Sequence, residues 1–385
     1  MGTEKENTSE MIPVSTPALT GNETAYVKDC VESGWISSSG KYIECFERDW
    51  AQYCGVRHGI AVSNGTAALQ IAVDALRLGP GDEVIMPSFT IISCALAVLR
   101  AGAVPVVVDC DSDTYCIDVD QASAAITSRT RAIMPVHMYG HPANMDALSS
   151  LAEQHGLAII EDAAQAHGSE YFSRRSSQDG WRRCGGLGTL SAFSFYANKL
   201  VTTGEGGMVL TNDSELAERC RSLRNLCFQS PRFCHDELGY NFRLTNIQAA
   251  IGVAQIERIT ETILRKRSIG AYYDTLLASA STLKLPSIRN WARVNCWTYA
   301  IVLTDEADMD AFEFAARLKE KGVDTRPFFM GLHEQPVLRG RGLFRGSHLP
   351  VTERLYRRGL YLPSGQALTM TQIESVASAV KDVLA

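Results

Sequence analysis

The stretch LSAFSFYANKLVTTGEGGM, residues 190–208, decides how the fold and the chemistry of this chain are interpreted. Its beginning, Leu190–Tyr196, is largely apolar and is typical of a buried strand. Lys199 follows that strand at once, and a glycine-rich turn comes next. Because burying an unpaired ammonium is costly, such a lysine either reaches from the strand end to solvent or carries out chemistry, for example a Schiff base with an aldehyde.

Short apolar runs alternate with helix-length amphipathic segments from about residue 58 to residue 226. The pattern predicts strands at Gly59–Ser63, Glu83–Met86, Val104–Val108, Arg131–Val136, Leu157–Glu161, Leu190–Phe195 and Gly207–Leu210, and helices at Thr66–Leu78, Ile91–Ala101, Met145–His155 and Ser214–Asn225. Continuous apolar strands separated by helices indicate an α/β fold with a mostly parallel seven-stranded sheet. Ligands bind at the carboxyl ends of the strands in such sheets, so polar residues at those ends are the first site candidates.

The pattern changes after about residue 245. The remaining sequence predicts a long helix, two strands and two further helices, at 246–278, 296–303, 323–327, 308–321 and 371–384. These segments indicate a smaller α+β domain. We therefore expect a disordered lead-in at residues 1–10, a large domain at 11–250 and a small C-terminal domain at 251–385.

The composition restricts the class of protein. Of the 385 residues, 45 % are hydrophobic and 21 % are charged, which is typical of a globular chain with more than one domain. A net charge of −6 without a basic block argues against nucleic-acid binding, and the absence of an 18-residue apolar run argues against a membrane span. The polar start, Met1–Asn7, is unlike a signal peptide, and eleven scattered cysteines without a C-x-x-C pair favour reduced thiols. Both features indicate a cytoplasmic protein.

A glycine turn after the first predicted strand is a candidate phosphate site. In Ser63–Leu69 a strand ends, Gly65 turns the chain and a helix begins near Thr66. The free N–H groups and the positive dipole end of a helix suit a phosphate. Simple capping of the helix by Asn64 or Thr66 explains the same residues equally well.

Asp162 follows the predicted strand Leu157–Glu161 and is the second candidate. A carboxylate at that position can pair with a protonated pyridine nitrogen, although capping of the next segment is an equal alternative. Gln165 can reach either the phenolate oxygen of the same ring or the substrate, and Ser194 can donate to a phosphate. Together with Lys199, these residues supply a phosphate cradle, a pyridine partner and a Schiff-base lysine on successive strand ends. The set predicts a site for pyridoxal 5'-phosphate (PLP).

Two other features carry weaker signals. The polar, basic segment 172–186 is expected to be a solvated surface loop, with phosphate binding as the alternative. His137 and His141 have the i, i+4 spacing of a helical zinc site, but Gly140 and Pro142 make a helix there unfavourable. We therefore expect these histidines to be structural or to line a pocket, and we expect no metal site.

The residues together resemble the DegT/DnrJ/EryC1/StrS family of sugar aminotransferases. The matching segments are Trp35–Ser38, Ser63–Leu69, Val136–Pro142, Glu161–Gly168, Phe193–Met208, Gly239–Ala250 and Arg326–Phe329. The resemblance extends from about Met11 to the C-terminus. It implies the PLP-dependent aspartate-aminotransferase fold (fold type I), in which a large PLP-binding domain precedes a smaller one.

The resemblance also implies a role for each cofactor candidate. Lys199 would bond covalently to PLP and then act as general acid and base. Asp162 would hold the pyridine nitrogen, and Gln165 would lie beside the phenolic oxygen of the ring. Phosphate binding is implied for Gly65, Thr66 and Ser194.

Further implied roles concern the substrate and a second subunit. Asn241 would reach the phosphate of the neighbouring subunit's cofactor, which implies a homodimer with shared active sites. Trp35 and His333 lie in segments that border the sugar-nucleotide pocket of such enzymes. Ile91 is a departure, because many relatives have an aromatic residue there beside the PLP ring. The ring contact would then come from Phe89 or from an aliphatic side chain.

The activity implied by the resemblance is transfer of an amino group from L-glutamate to a keto sugar nucleotide. Segments 136–142 and 202–208 are most similar to the branch of the family that forms GDP-perosamine. GDP-4-keto-6-deoxy-D-mannose is therefore the first acceptor expected, for polysaccharide (O-antigen) or glycosylated-metabolite biosynthesis, and a 3-keto isomer giving a 3-amino sugar is the alternative. Related sugar 3-dehydratases have histidine in place of Lys199, and a non-catalytic binding or sensor protein would not need the pair Lys199 and Asp162. Both of these functions are disfavoured.

Overall fold

The computed structural model describes residues 11–175 and 179–385 of the chain. The α-helices are α1 (Glu23–Ser33), α2 (Lys41–Cys54), α3 (Gly65–Ala75), α4 (Ser93–Arg100), α5 (Val119–Ala124), α6 (Met145–His155), α7 (Ser214–Arg224), α8 (Asn246–Glu257), α9 (Ile259–Leu277), α10 (Ala311–Glu320), α11 (Pro336–Gly340), α12 (Pro350–Arg358) and α13 (Met370–Leu384). The strands are β1 (His58–Val62), β2 (Glu83–Pro87), β3 (Val104–Val108), β4 (Thr130–Ile133), β5 (Ala158–Asp162), β6 (Glu170–Ser173), β7 (Gly180–Arg183), β8 (Leu190–Ser194), β9 (Gly207–Thr211), β10 (Leu283–Lys284), β11 (Ala292–Arg293), β12 (Tyr299–Leu303), β13 (Arg326–Pro327) and β14 (Gly359–Leu362). The expected lead-in at residues 1–10 lies outside the described residues.

The central sheet has seven strands in the order β1-β9-β8-β5-β4-β2-β3. β9 is antiparallel to β1 and β8, whereas the neighbouring pairs from β8 to β3 are parallel. Parallel strands need crossover connections, and the connecting helices cover the sheet. All five residues of β2 are buried, as this arrangement requires. The predicted α/β fold with a mostly parallel seven-stranded sheet is confirmed.

Two helices precede β1 that the sequence did not predict: α1 packs against α8, and α2 packs against both α8 and the central sheet. In α2, Phe46 and Trp50 are four residues apart and therefore share one face of the helix. The ring of Trp50 packs edge-on against Phe193 and Phe195, each with a centroid separation of 5.1 Å. Gly55 ends the helix in the left-handed conformation, with φ 73°. This packing fixes β8, the strand that leads to Lys199.

The C-terminal part of the chain forms a second layer around a four-stranded sheet, β10-β12-β14-β13. Helices α9, α10 and α13 contribute to its own apolar core, which includes Tyr273 and Phe314. The helix predicted over 246–278 is two helices, because the backbone at Arg258 leaves the helical conformation (φ −111°, ψ 8°). The domain boundary at residue 250 stays a prediction. Within the described residues, no helix is both long enough and apolar enough to cross a membrane.

The segment 172–186 differs from the surface loop that we expected. β6 pairs with β7 in an antiparallel hairpin, and β11 joins the other edge of β6. The rings of Phe172 and Trp181 pack across the hairpin with a centroid separation of 5.3 Å. The expectation of a loop was wrong for the residues in these strands. The basic composition of the segment suggested a solvated loop, and the pairing of its two aromatic residues across strands could not be seen in the sequence. Residues 176–178 lie outside the described part of the chain.

Candidate active site

The turn after β8 places Lys199 at the carboxyl edge of the central sheet. β8 pairs in parallel with β5, so that Ala192 lies opposite Asp162. Beyond the strand, the N–H of Lys199 donates to the carbonyl oxygen of Tyr196 at 2.9 Å. The lysine amine lies 3.8 Å from the centre of the Trp297 ring. The carboxylate at the end of β5 and the lysine in the turn after β8, which were predicted to act together, therefore follow adjacent strands.

The surroundings of Lys199 change its acid–base behaviour. Burial of the amine lowers its pKa from 10.5 to about 7, and the charge of Asp162 raises it in part. Lys199 is partly exposed because its side chain lines a cavity, and the Trp297 ring covers its amine. The lowered pKa makes the uncharged amine, which can act as a nucleophile or a base, accessible near neutral pH.

Asp162 ends β5 and is only 1 % exposed. Its Oδ1 accepts a hydrogen bond from the N–H of Ala164 at 3.0 Å. Its Oδ2 accepts one from the thiol of Cys94 at 3.2 Å. A buried carboxylate with a donor on each oxygen is held in one orientation, which suits a cationic ring nitrogen as its partner.

Gln165 is held from two sides. Its side-chain oxygen accepts the N–H of Tyr139 at 2.8 Å, and its main-chain oxygen accepts the side-chain amide of Asn295 at 2.9 Å. Tyr139 has the left-handed φ of 51°, an uncommon conformation for a residue with a side chain and one that clusters at functional sites. Because the oxygen of the Gln165 amide is already occupied, its NH₂ group remains as the donor for a ligand.

The first turn of α3 and the end of β8 form an anion cradle. A Cβ on Gly65 would lie 2.7 Å from the Cβ of Ser194, so only glycine permits this approach. Asn64 caps the helix by accepting the N–H three residues later at 2.8 Å. The N–H groups of Gly65 and Thr66 precede the first intrahelical bond and are available to an anion. Capping by Asn64 therefore leaves these two N–H groups free, and phosphate binding at this turn stays a prediction.

These groups converge on one cavity of about 610 Å³. Its lining includes six predicted cofactor residues, namely Gly65, Thr66, Asp162, Gln165, Ser194 and Lys199. A depression of the same volume beside α7 is lined instead by surface charges such as the ion pair of Arg219 and Glu237. An amine with a lowered pKa, a fixed buried carboxylate and a helix N-terminus facing one cavity fit the aldehyde, the ring nitrogen and the phosphate of PLP.

The DegT/DnrJ/EryC1/StrS aminotransferase family matches residues 17–381, nearly the whole chain. The chain belongs to this family. DegT-family aminotransferases are PLP-dependent, and the predicted family, fold type and aminotransferase activity are confirmed.

Several members of the DegT family are similar over nearly their full length. GDP-perosamine synthase of Caulobacter vibrioides is 40 % identical over 375 residues, which are 97 % of this chain and 98 % of that protein. GDP-perosamine synthase of Escherichia coli O157:H7 is 39 % identical over 374 residues, 96 % of this chain and 98 % of that protein. The dTDP-3-amino-3,4,6-trideoxy-alpha-D-glucose transaminase of Streptomyces venezuelae is 39 % identical over 354 residues, 90 % of this chain and 89 % of that protein. Among solved structures, S. venezuelae DesV in complex with a ketimine intermediate has a TM-score of 0.88 and 36 % identity, and the match covers 97 % of this chain and 98 % of DesV.

Asn295 is a residue of this DegT-family site that the sequence analysis missed. It is fully buried, and its amide donates to the main-chain oxygens of Gln165 at 2.9 Å and His167 at 3.1 Å. Its side-chain oxygen accepts the N–H of Trp297 at 2.9 Å. Asn295 therefore joins the turn after β5 to the residue whose ring covers the lysine.

Trp297 was missed as well. Its ring lies against the amine of Lys199, and its Nε1 donates to the main-chain oxygen of Asn198 at 2.8 Å. Both Trp297 and Asn295 precede β12, about a hundred residues after the lysine in sequence. A single asparagine or tryptophan before a predicted strand gives no signal of a site, so only the tertiary structure reveals them.

Three predicted site residues are not among the described residues that line the 610 Å³ cavity. Trp35 is 59 % exposed and borders a separate cavity beside α1 and α2. Asn241 is exposed. His333 is buried, with its ring nitrogens bonded to Ser88 and Glu353. Their proposed roles in substrate binding and at the subunit interface stay predictions.

The histidines considered for a metal have other partners. His137 Nδ1 accepts the N–H of Ala143 at 3.1 Å, so its Nε2 carries the proton and donates to Glu161 at 2.9 Å. Glu161 also accepts the N–H of Gly185 at 2.8 Å, which ties the segment before β8 to the sheet. Burial lowers the pKa of His141 to about 4. Residues 11–175 and 179–385 contain no group of three His, Cys, Asp or Glu side chains that could hold a metal ion.

Ile91 lines the cavity and is 41 % exposed. Phe89, the aromatic alternative for a contact with the ring, is fully buried against Tyr139 and Phe328. The side chain available beside a ligand at this position is therefore the aliphatic one.

Proposed function

We propose that the protein transfers the amino group of L-glutamate to a keto sugar nucleotide, with PLP as its cofactor and GDP-4-keto-6-deoxy-D-mannose as the acceptor. The product would be GDP-perosamine. The observation that carries the proposal is the convergence of Lys199, Asp162 and the anion cradle at Gly65 on one cavity. The choice of sugar is supported by the two GDP-perosamine synthases of 39 % and 40 % identity.

PLP, when bound, supplies an aldehyde that reacts with amines and a ring that withdraws electrons from the adjacent carbon. Asp162 binds the ring nitrogen through its fixed carboxylate, and Gln165 orients the ring through its free NH₂ group. Gly65, Thr66 and Ser194 bind the phosphate. With the cofactor held in this way, the amine of Lys199, which lines the same cavity, would face the reacting atoms.

Lys199 moves the protons of the reaction. In the first half of the reaction, its uncharged amine would accept the proton from Cα of glutamate and pass it to the cofactor. In the second half, it would take a proton back from the cofactor and donate it to the carbon of the sugar that receives the amino group. A pKa of about 7 suits both directions, because comparable fractions of the two protonation states exist at neutral pH. The amine lies 3.8 Å from the centre of the Trp297 ring, which fixes the position from which it would transfer protons.

A homodimer with shared active sites is part of the proposal. Asn241 is exposed and lies outside the lining of its own cavity, as expected for a residue that acts in the other subunit. Trp35 and Ile36 are adjacent apolar residues that are 59 % and 49 % exposed, and such exposure suits a subunit interface. Mixing Lys199→Ala and Asn241→Ala protein tests this arrangement. Shared sites would restore activity to about a quarter of the wild-type value through hybrid dimers, whereas sites within one subunit would restore none.

The acceptor is tested with purified protein, glutamate and a panel of GDP-, UDP- and dTDP-linked keto sugars. Glutamate is expected to bleach the visible absorption of lysine-bound PLP, and NMR of the product identifies the aminated carbon. The similarity to the S. venezuelae transaminase favours a second candidate function, formation of a 3-amino sugar. The NMR spectra of the product distinguish a 3-amino sugar from a 4-amino sugar. Turnover with no member of the panel would reject the proposal.

A further inference from the structure

The thiol of Cys94 contacts the carboxylate that we assign to the ring nitrogen of PLP. Cys94 is the second residue of α4 and is fully buried. Its Sγ lies 3.2 Å from Oδ2 of Asp162. The contact joins α4 to the end of β5, two elements that meet behind the cavity.

The direction of this hydrogen bond follows from chemistry. An ionised carboxylate only accepts, so the thiol must donate to Asp162. Burial, together with the nearby charge of Asp162, raises the pKa of the Cys94 thiol well above its usual range, and the proton therefore stays on sulfur. The hydroxyl of Thr90 lies 3.5 Å from the same sulfur and is free to donate to it. Thr90, Cys94 and Asp162 thus form a chain of buried donors that ends at Oδ2.

The thiol completes the support of the carboxylate. The N–H of Ala164 holds Oδ1, and Cys94 holds Oδ2 from a different element. Without the thiol, the carboxylate keeps only the Ala164 hydrogen bond and can turn about its bond to Cβ. We propose that Cys94 is a positioning residue that holds Asp162 in the orientation that meets the ring nitrogen. This inference rests on the proposed PLP site.

A matched control exists in the same molecule. Cys116 is also buried, 2 % exposed, and its thiol donates to the main-chain oxygen of His141, also at 3.2 Å. Removing either thiol deletes one buried S–H···O hydrogen bond of equal length. Only Cys94 acts on Asp162, so a difference between the two variants reports on positioning and not on general stability.

The experiment measures binding of pyridoxamine 5'-phosphate to the apo-protein. This probe has the ring nitrogen and phosphate of PLP but no aldehyde, so a covalent bond to Lys199 does not mask the effect. Cys94→Ala is expected to raise the dissociation constant about fivefold, the equivalent of one hydrogen bond. Cys94→Ser retains a donor and is expected to recover most of the loss, and Cys116→Ala is expected to stay within about twofold of wild type.

Turnover gives a second readout. Cys94→Ala is expected to lower kcat with little change in KM for glutamate, because the thiol acts on the cofactor end of the site. The inference is overturned if Cys94→Ala and Cys116→Ala have the same dissociation constant, or if Cys94→Ser binds as weakly as Cys94→Ala. Failure of the wild-type protein to bind the probe would instead reject the proposed function.

Discussion

Two lysines of this protein, which both border one small cavity, have similarly lowered pKa values but different partners. Burial lowers the pKa of both Lys199 and Lys266 from 10.5 to about 7. Lys266 lies in α9, is 3 % exposed, and donates to the main-chain oxygen of Ser364. Lys199 instead faces a 610 Å³ cavity that it shares with the carboxylate of Asp162. A lowered pKa therefore does not by itself identify a reactive lysine. A reactive lysine also needs a cavity that admits a ligand. It further needs a charged neighbour, such as Asp162, that can bind the ligand.

The strongest test of this difference is to remove each amine in turn. Lys199→Ala is expected to lower kcat by about 10³-fold or more, because general acid–base catalysis and covalent binding of the cofactor are both lost. Lys266→Met is expected to leave kcat within about threefold of wild type, since Lys266 belongs to the core around α9. Steady-state transamination measures both. Equal losses in the two variants would mean that the lysines are functionally alike.

Asp162 supplies a carboxylate to the cavity of Lys199, and among the described residues Lys266 has no such partner in its surroundings. Asp162→Asn keeps the shape but removes the charge that pairs with the ring, and kcat is expected to fall about 10²-fold. Because the charge of Asp162 raises the pKa of Lys199, the substitution should lower the pKa of Lys199 further. The pKa of Lys266 should not change. The pH dependence of kcat reports the shift.

Glu161→Gln is the matched control for Asp162→Asn. Glu161 precedes Asp162 and binds the N–H groups of Gly185 and Leu187, away from the cavity lining. Its substitution is expected to lower the free energy of unfolding by about 1–3 kcal/mol while kcat stays within about threefold. A kcat loss as large as that of Asp162→Asn would show that any change at the end of β5 disables the site.

We expect the main effect of Lys266 to be on the stability of the protein and the main effect of Lys199 to be on catalysis. Its folded-state pKa lies below that of an unfolded lysine, so the unfolded chain binds more protons between pH 7 and 10.5. The free energy of unfolding should therefore rise with pH in that window, by up to about 1.4 kcal/mol per pH unit for this group. Lys266→Met should remove the part of the slope that Lys266 contributes, whereas the part from the similarly lowered pKa of Lys199 stays. Despite the lost hydrogen bond to Ser364, the substitution should stabilise the apo-protein by about 2 kcal/mol at pH 7. Denaturant unfolding at several pH values measures both effects, and an unchanged slope would contradict the assignment.

The two lysines also show what the sequence can and cannot predict. Lys199 was found because it follows an apolar strand and precedes a glycine turn, and because Asp162 and Gly65 follow strands of the same predicted sheet. Lys266 is flanked by Arg265 and Arg267, a pattern typical of a solvated helix face, so its burial has no local signal.

The parts of the site that could not be predicted depend on contacts between distant segments. Asn295 and Trp297 reach the site because the segment before β12 meets the turn that carries Gln165, where the Asn295 amide donates to the main-chain oxygen of Gln165. The donation from Cys94 to Asp162 depends on the meeting of α4 with β5, and the sequence shows Cys94 only as an apolar position. The alternation of apolar strands and helices predicted the central sheet. The helices α1 and α2, which precede the sheet, were not predicted because no motif indicated them.

The smallest expected effect concerns the ring that covers Lys199. Trp297→Phe keeps an aromatic face over the amine but weakens its attraction for a cation and removes the donor to Asn198. Weaker attraction disfavours the charged amine, so the pKa of Lys199 should fall and the rise of kcat with pH should move to lower pH, by less than about one unit. Trp291→Phe is the control, because Trp291 packs on Tyr171, away from the lysine. A shift to higher pH would mean that water entering beside phenylalanine outweighs the lost ring attraction, and the ring would then act on Lys199 chiefly by excluding water.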